Sequence, residues 1–245
     1  MENAELIGLS SQSVLRRRLD TIANNLANMN TNGYKAKELV FEQYIMSDAS
    51  HEAFQRRDQD LHYVADPQTI HDFSQGDLIT TGNPLDVAVS EDAWFVIETP
   101  QGERYTRDGA FKPGADGQLV NEDGFPVLGE GGPINISADD IDISVDQNGT
   151  IASVNGELGR LRLVSFQDDN ALTPIGNNLF EGLEAQPAID AIVTQGTLEG
   201  SNVKPIAEIS QMIEVSRRYQ SITNSMQKLD ELRRTAVARL GRVDV

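Results

Sequence analysis

Apolar residues at both ends of this chain recur at steps of three and four, a spacing that confines the termini to α-helices pairing along a narrow seam. Leu15, Leu19, Ile22, Leu26 and Met29 follow one another in this way near the start. Met212, Val215, Tyr219, Ile222, Met226, Leu229, Leu232 and Ala236 repeat the pattern near the end. Each set occupies one stripe of a helix, the geometry by which helices zip together and not the broad face that covers a globular core. The first helix is expected from Asn3 or Ala4 to about Asn30, stopped by Asn32-Gly33, where glycine tolerates the left-handed conformation that closes a helix. The second is expected after the polar link Gly196–Asn202. Pro205 suits a first turn, because its missing N–H is not needed there. From Ile206 to Leu240 neither Gly nor Pro intervenes, giving about 50 Å of helix at the usual rise per residue. A seam that long calls for partners, and both termini are expected to be poorly ordered in a dilute monomer.

Between the seams the chain reads as β-structure. Turn signals follow at short intervals: Gly76-Asp77, Gly82-Asn83-Pro84, Gln101-Gly102, Asp108-Gly109, Asp116-Gly117, Asp123-Gly124, Asn148-Gly149 and Asn155-Gly156. Asp-Gly and Asn-Gly supply the positive backbone angles of tight hairpins. Leu85, Val87 and Val89 alternate with small or polar residues, Trp94-Phe95-Val96-Ile97 is a continuous apolar run, and Leu161 and Leu163 alternate with Arg160 and Arg162. Strands of this length and spacing predict an all-β domain. The fold class is therefore α+β: N- and C-terminal α-helices forming a coiled-coil domain, with an inserted all-β central domain. Residues 1–35 and 202–245 make the helical part, 36–75 a charged connector, and 76–201 the β-rich part.

The charge is placed unevenly. Residues 58–200 hold 26 Asp/Glu against 5 Lys/Arg, whereas the terminal regions are neutral to basic. An acidic middle argues against nucleic acid, whose phosphates need clustered cations. The chain has no cysteine, which excludes disulfides, thiolate metal sites and cysteine nucleophiles. No run of 18 apolar residues offers a membrane span. The amino end carries Glu2, Glu5 and Arg16-Arg17-Arg18 where a secretory signal needs other residues, so export is expected without a cleaved signal peptide.

No catalytic, cofactor or metal residue is assigned. His51, His62 and His71 lack ligand spacing. Asp146-Gln147-Asn148-Gly149 is like half of a calcium loop but has Ser144 and Asn155 where Asp and Glu are required, so a hairpin turn is expected. Asp139-Asp140-Ile141-Asp142 is expected on a strand, which would divide its carboxylates between two faces. No nucleophile elbow, P-loop or dinucleotide fingerprint occurs, and nothing points to an enzyme.

Asn24, Asn25 and Asn28 are poor helix formers beside the seam residues Ile22, Leu26 and Met29. They can mark fraying before the helix stop, or they can fix register by exchanging amide hydrogen bonds across a helix contact.

The stretch from Leu19 to Lys35, including Ala23-Asn24-Asn25-Leu26-Ala27-Asn28 and Thr31-Asn32-Gly33-Tyr34-Lys35, closely resembles the amino-terminal signature of the bacterial flagellar axial proteins, the rod and hook family. Thr81-Gly82-Asn83-Pro84-Leu85-Asp86 with Tyr105-Thr106-Arg107-Asp108-Gly109-Ala110-Phe111 is similar to its central β-motif. Gly196–Val203 with Met212–Gln220 is similar to its carboxy-terminal signature. Ser90-Glu91-Asp92-Ala93 departs from the family's glycine-rich turn before an aromatic strand. The opening Glu2-Asn3-Ala4, with Arg16-Arg17-Arg18-Leu19-Asp20, is closest to the proximal rod members, with the distal rod members as the alternative. The resemblance implies a structural subunit of the periplasmic drive shaft, in the flagellar basal body, that assembles helically with copies of itself and other rod proteins. It also implies passage through the flagellar type III export apparatus. The seam residues of both helices, with Asn24, Asn25 and Asn28, would form the assembly interface. Two other classes stand beside it: a β-rich glycan-binding module with helical oligomerisation tails, and a wall-directed hydrolase, for which no catalytic pair is found.

Overall fold

A computed structural model describes residues 2–40, 43–46, 61–64, 68–90, 92–137 and 139–240. Two long helices, α1 (Glu2–Ala27) and α2 (Pro205–Leu240), bracket a chain of short strands. The chain divides into two compact units. One comprises Met1–Leu26, Lys37–Ile70 and Pro205–Val245; the other comprises Ala27–Ala36 and His71–Lys204.

In the first unit α1 and α2 run antiparallel. Gln12 Nε2 donates to Thr223 Oγ1 at 2.9 Å, Asn25 Nδ2 donates to Glu208 Oε1 at 3.2 Å, and the Met226 side chain lies directly against Gly8. α2 starts on Pro205, as expected from its sequence. α1 ends at Ala27, short of Asn30, because Asn28 diverts backbone bonding into a turn: its carbonyl accepts from Thr31 N at 3.1 Å and its side-chain oxygen from the Thr31 hydroxyl at 3.2 Å. Two ribbons complete this unit, Gln43–Met46 with Leu61–Val64, and Lys37–Val40 with Gln68–His71. The Arg56-Arg57-Asp58 part of the expected connector, and His51, lie outside the described residues.

The second unit is built on a six-stranded antiparallel sheet. Its strands are β1 (Trp94–Thr99), β2 (Gly102–Thr106), β3 (Leu163–Ser165), β4 (Thr173–Gly176), β5 (Leu179–Glu181) and β6 (Gln186–Pro187), in the spatial order β4-β5-β2-β1-β3-β6. The Trp94–Ile97 run is continuous because β1 is covered on both faces. Phe95 and Ile97 enter a large aliphatic core with Val87, Val127, Leu119, Ile151 and Leu161. Trp94 and Val96 enter a smaller, aromatic core with Tyr105, Leu172 and Phe180. Edge-to-face ring pairs join Trp94 to Phe180 at 5.3 Å and to Phe73 at 5.6 Å. The two edge strands each contain a proline, Pro174 in β4 and Pro187 in β6.

Smaller ribbons and a three-stranded meander (Ser144–Val145, Thr150–Ser153, Gly156–Arg160) close over the aliphatic core. Asp146 forms the expected hairpin turn, accepting from Asn148 N at 2.9 Å and Thr150 N at 2.8 Å. Asp139–Asp142 is not a strand. Asp140 accepts from Ser137 N, Ser153 Oγ and Asn155 Nδ2, each between 2.8 and 3.0 Å, and Asp142 sits at φ 55°. Local side-chain bonds outcompete a sheet ladder there.

Candidate functional site

The expected seam residues other than Met29 lie on α1 and α2, with unequal cover. Ile22 and Val215 are buried; Leu15, Leu19, Leu26, Met212, Tyr219, Ile222 and Met226 are half-buried. Met29 lies in the turn after α1 and is exposed, as are Leu229, Leu232 and Ala236 towards the end of α2. Between the helices runs a groove of about 400 Å³ lined by Ser11, Val14, Leu15, Arg218, Ser221 and Ile222.

The three asparagines separate into different roles. Asn24 is exposed and Asn28 caps the turn after α1. Asn25 is 2% exposed. Its Oδ1 accepts from Lys37 N at 2.9 Å, and its Nδ2 donates to Lys37 O at 2.9 Å as well as to Glu208. One amide thus ties α1, the strand that follows it, and the first turns of α2.

A second constellation lies inside the β-rich unit. Lys35 and Arg107 have fully buried side chains, and that of Glu199 is 1% exposed. Lys35 Nζ donates to Glu199 Oε1 at 2.7 Å, to Ser74 O at 2.8 Å and to Phe73 O at 3.2 Å. Those three acceptors saturate the ammonium. Burial still pushes the Lys35 pKa below its ordinary value, a loss that the Glu199 carboxylate only partly offsets. Arg107 Nη1 donates to Ser90 O at 2.9 Å and lies 3.7 Å from Glu199 Oε2. The guanidinium stacks 4.7 Å from the centre of the Trp94 ring, which cushions its desolvation.

Two glycines make this packing possible. Gly33 adopts φ +64°, and a Cβ there would lie 2.5 Å from Asp108 N. Gly76 passes so close to Gly200 that a Cβ would reach its carbonyl oxygen at 2.1 Å. Around them the backbone is stitched together: Gly33 N donates to Glu199 O at 2.8 Å, Gly76 N to Glu199 Oε1 at 3.0 Å, and Ala36 N to Asn202 Oδ1 at 2.8 Å. The motif blocks around Lys35, Arg107 and Glu199, far apart in sequence, therefore converge on one buried ionic cluster. All three residues stand within the motif blocks, but the sequence alone assigns none of them a role. The available signal was Arg107, one of only five cations in an acidic stretch, set between aromatic and glycine residues.

Beside the cluster, Asp108 is half-buried, and its carboxylate accepts from Ala110 N at 3.1 Å. Burial raises its pKa to about 6, with further upward pushes from Glu122, Asp123 and Asp86. His71 packs between Phe73 and Phe180. Among the described residues no group of three or more His, Cys, Asp or Glu could hold a metal, and no helix is long and apolar enough to cross a membrane.

Comparison with known proteins covers the whole chain. Residues 6–35 match the family described as flagella basal body rod protein. Residues 88–153 match the flagellar hook protein FlgE/F/G D1 domain, and residues 194–240 the flagellar basal body rod FlgEFG protein C-terminal family. The chain is 37% identical to the flagellar basal-body rod protein FlgF of Caulobacter vibrioides, covering 100% of both sequences. It is 33% identical to FlgF of Rhizobium meliloti, over 98% of this chain and 99% of that one. With FlgG of Agrobacterium fabrum it shares 32% identity over 92% of this chain and 95% of the relative. With similarity running from end to end and FlgF proteins prominent among its relatives, the chain belongs to the flagellar basal-body rod protein family.

Proposed function

We propose that this protein is a structural subunit of the flagellar basal-body rod, at the proximal position, and that α1 and α2 are its assembly elements. End-to-end similarity to FlgF proteins carries the reading. The unequal cover of the seam supports the residue-level part: Leu229 and Leu232 are large apolar side chains at 38% and 66% exposure, on a helix whose earlier turns pair with α1. Neighbouring subunits would cover them, extending a coiled-coil tube from Leu15, Leu19, Ile22, Leu26 and Met29 on one side and Met212 through Ala236 on the other. Residues 1–35 and 202–245 would then serve assembly and residues 76–201 form the outer β-domain. Passage through the type III export apparatus without a cleaved signal, and a periplasmic position, complete the proposal.

The glycan-binding alternative has little to stand on. Such sites present exposed aromatic faces, whereas every Trp, Tyr and Phe whose side chain is described here is buried or half-buried. The experiment is a seam substitution. Leu26→Asp or Met226→Asp places an unpaired carboxylate in the helix contact, at a cost of about 3–5 kcal/mol. Cells carrying either variant should lack rods and fail to swim, while circular dichroism of the purified protein keeps its β-signal. Normal swimming would overturn the assignment.

A further inference from the structure

Residues Ala27–Ala36 follow a helix yet belong to the β-rich unit. Polar contacts tie them to four separate stretches of it. Asn32 O accepts from Asn178 Nδ2 at 2.9 Å. Gly33 N bonds Glu199 O, Lys35 reaches Phe73, Ser74 and Glu199, and Ala36 O accepts from Asp72 N at 2.8 Å. Asn202 closes the far side through Ala36 N. The segment's own apolar cluster is small, Tyr34 and Ala36 with Val203, and stands apart from both larger cores. With Lys35 withdrawn, Glu199 would be a buried carboxylate with its Arg107 contact at 3.7 Å, in a pocket closed to water.

We infer that Ala27–Ala36 is a detachable strap, and that its capture by the Lys35–Glu199–Arg107 lock makes closure of the β-rich unit conditional on both ends of that unit being present. The contact spans 164 positions of sequence. A chain delivered from either end cannot close the lock until nearly all of the intervening polypeptide has arrived. Before that moment the unit can hold its sheet, because β1 and both cores are built from residues 71–204. It cannot fix the point near residue 36, where the chain first leaves the unit, beside the point near residue 204, where it leaves for good. The strap thus converts a folded sheet into a finished unit in which the chain near two of its four crossings is held side by side, Asn202 N donating to Tyr34 O at 3.4 Å. This inference rests on contacts inside one unit, and it stands or falls separately from the rod assignment.

Hydrogen exchange read by mass spectrometry on the purified full-length chain tests it, comparing peptides over 31–36 and over β1. Lys35→Met should speed exchange in 31–36 by at least about 10-fold while changing β1 by less than about 3-fold. Adding Glu199→Gln to Lys35→Met removes the stranded charge and should recover most of the lost protection. Equal acceleration in both peptides, or none in 31–36, overturns the inference. Should Lys35→Met not fold, the unaltered protein decides. In sub-denaturing urea the strap amides should open with a shallower urea dependence than β1. A common slope would mean that strap and sheet open only together, and the inference fails. Neither outcome bears on whether Leu26→Asp abolishes rods.

Discussion

Neutralising Asp108 should stabilise the β-rich unit, and only above a defined pH. Its carboxyl accepts one hydrogen bond, from Ala110 N, and faces Asp86, Glu122 and Asp123 across the adjoining turns. A folded pKa of about 6 against an unfolded value of about 3.9 is a gap of about two units, or roughly 2.7 kcal/mol at 1.36 kcal/mol per unit. The folded pKa is the higher, so the folded state holds the proton more tightly. Stability from this group is therefore fully present below about pH 4 and is lost as pH rises through 6. Asp108→Asn keeps an oxygen for Ala110 N and removes the charge. At pH 8 the variant should melt about 3–8 °C above the unaltered chain, given about 1–2.7 kcal/mol and the usual sensitivity for a domain of this size. At pH 4 the two should melt together. Thermal melts followed by circular dichroism between pH 4 and 8 read the difference directly. Asp140 and Asp146, whose pKa values are lowered by hydrogen bonds from their own turns, titrate alike in both proteins and cancel. A stabilisation of the same size at pH 4 and pH 8 would refute the reasoning, because no titration of Asp108 could then be its source.

Hydrogen exchange at the 31–36 amides of Lys35→Met, Glu199→Gln and their double variant should form a strongly non-additive cycle. Each single change should lower the local opening free energy by at least about 1.4 kcal/mol and the double change by clearly less than the sum, whereas additive losses would mean the two charges do not act on one another. Gly33→Ala combines a left-handed backbone with a Cβ at 2.5 Å from Asp108 N and should lower protection of the same amides by about 2 kcal/mol; a loss below about 0.5 kcal/mol there would contradict the close approach. Asn25→Asp removes the amide donors to Lys37 and Glu208 and sets two carboxylates face to face. The helical signal of the purified chain should then melt at lower temperature, with the deficit shrinking as pH falls through the carboxylate range.

Local chemistry was readable from sequence where neighbours decide the outcome. Pro205 opens α2, and Gly117, Gly124, Gly149 and Gly156 all take positive φ at the anticipated hairpins. The apolar run at Trp94 is a buried strand. Strand order was not readable, because a strand buried on both faces carries no alternation to say which neighbours it meets. The end of α1 was misplaced by about a turn, since the side chain of Asn28 competes for bonds that helix periodicity takes for granted. The Lys35–Glu199–Arg107 cluster was invisible for a different reason. Buried and solvated charges are the same letters, and only a fold that brings positions 35, 107 and 199 together separates them.

Pro174 and Pro187 have a meaning beyond the single molecule. A rod subunit packs against other axial subunits, where an unprotected sheet margin invites edge-to-edge pairing between chains. A proline on each outer strand deletes an amide donor and spoils any regular ladder with a neighbouring copy. The margins of the six-stranded sheet are thereby poor joints between neighbouring copies, which lets such subunits crowd together and still remain separable parts.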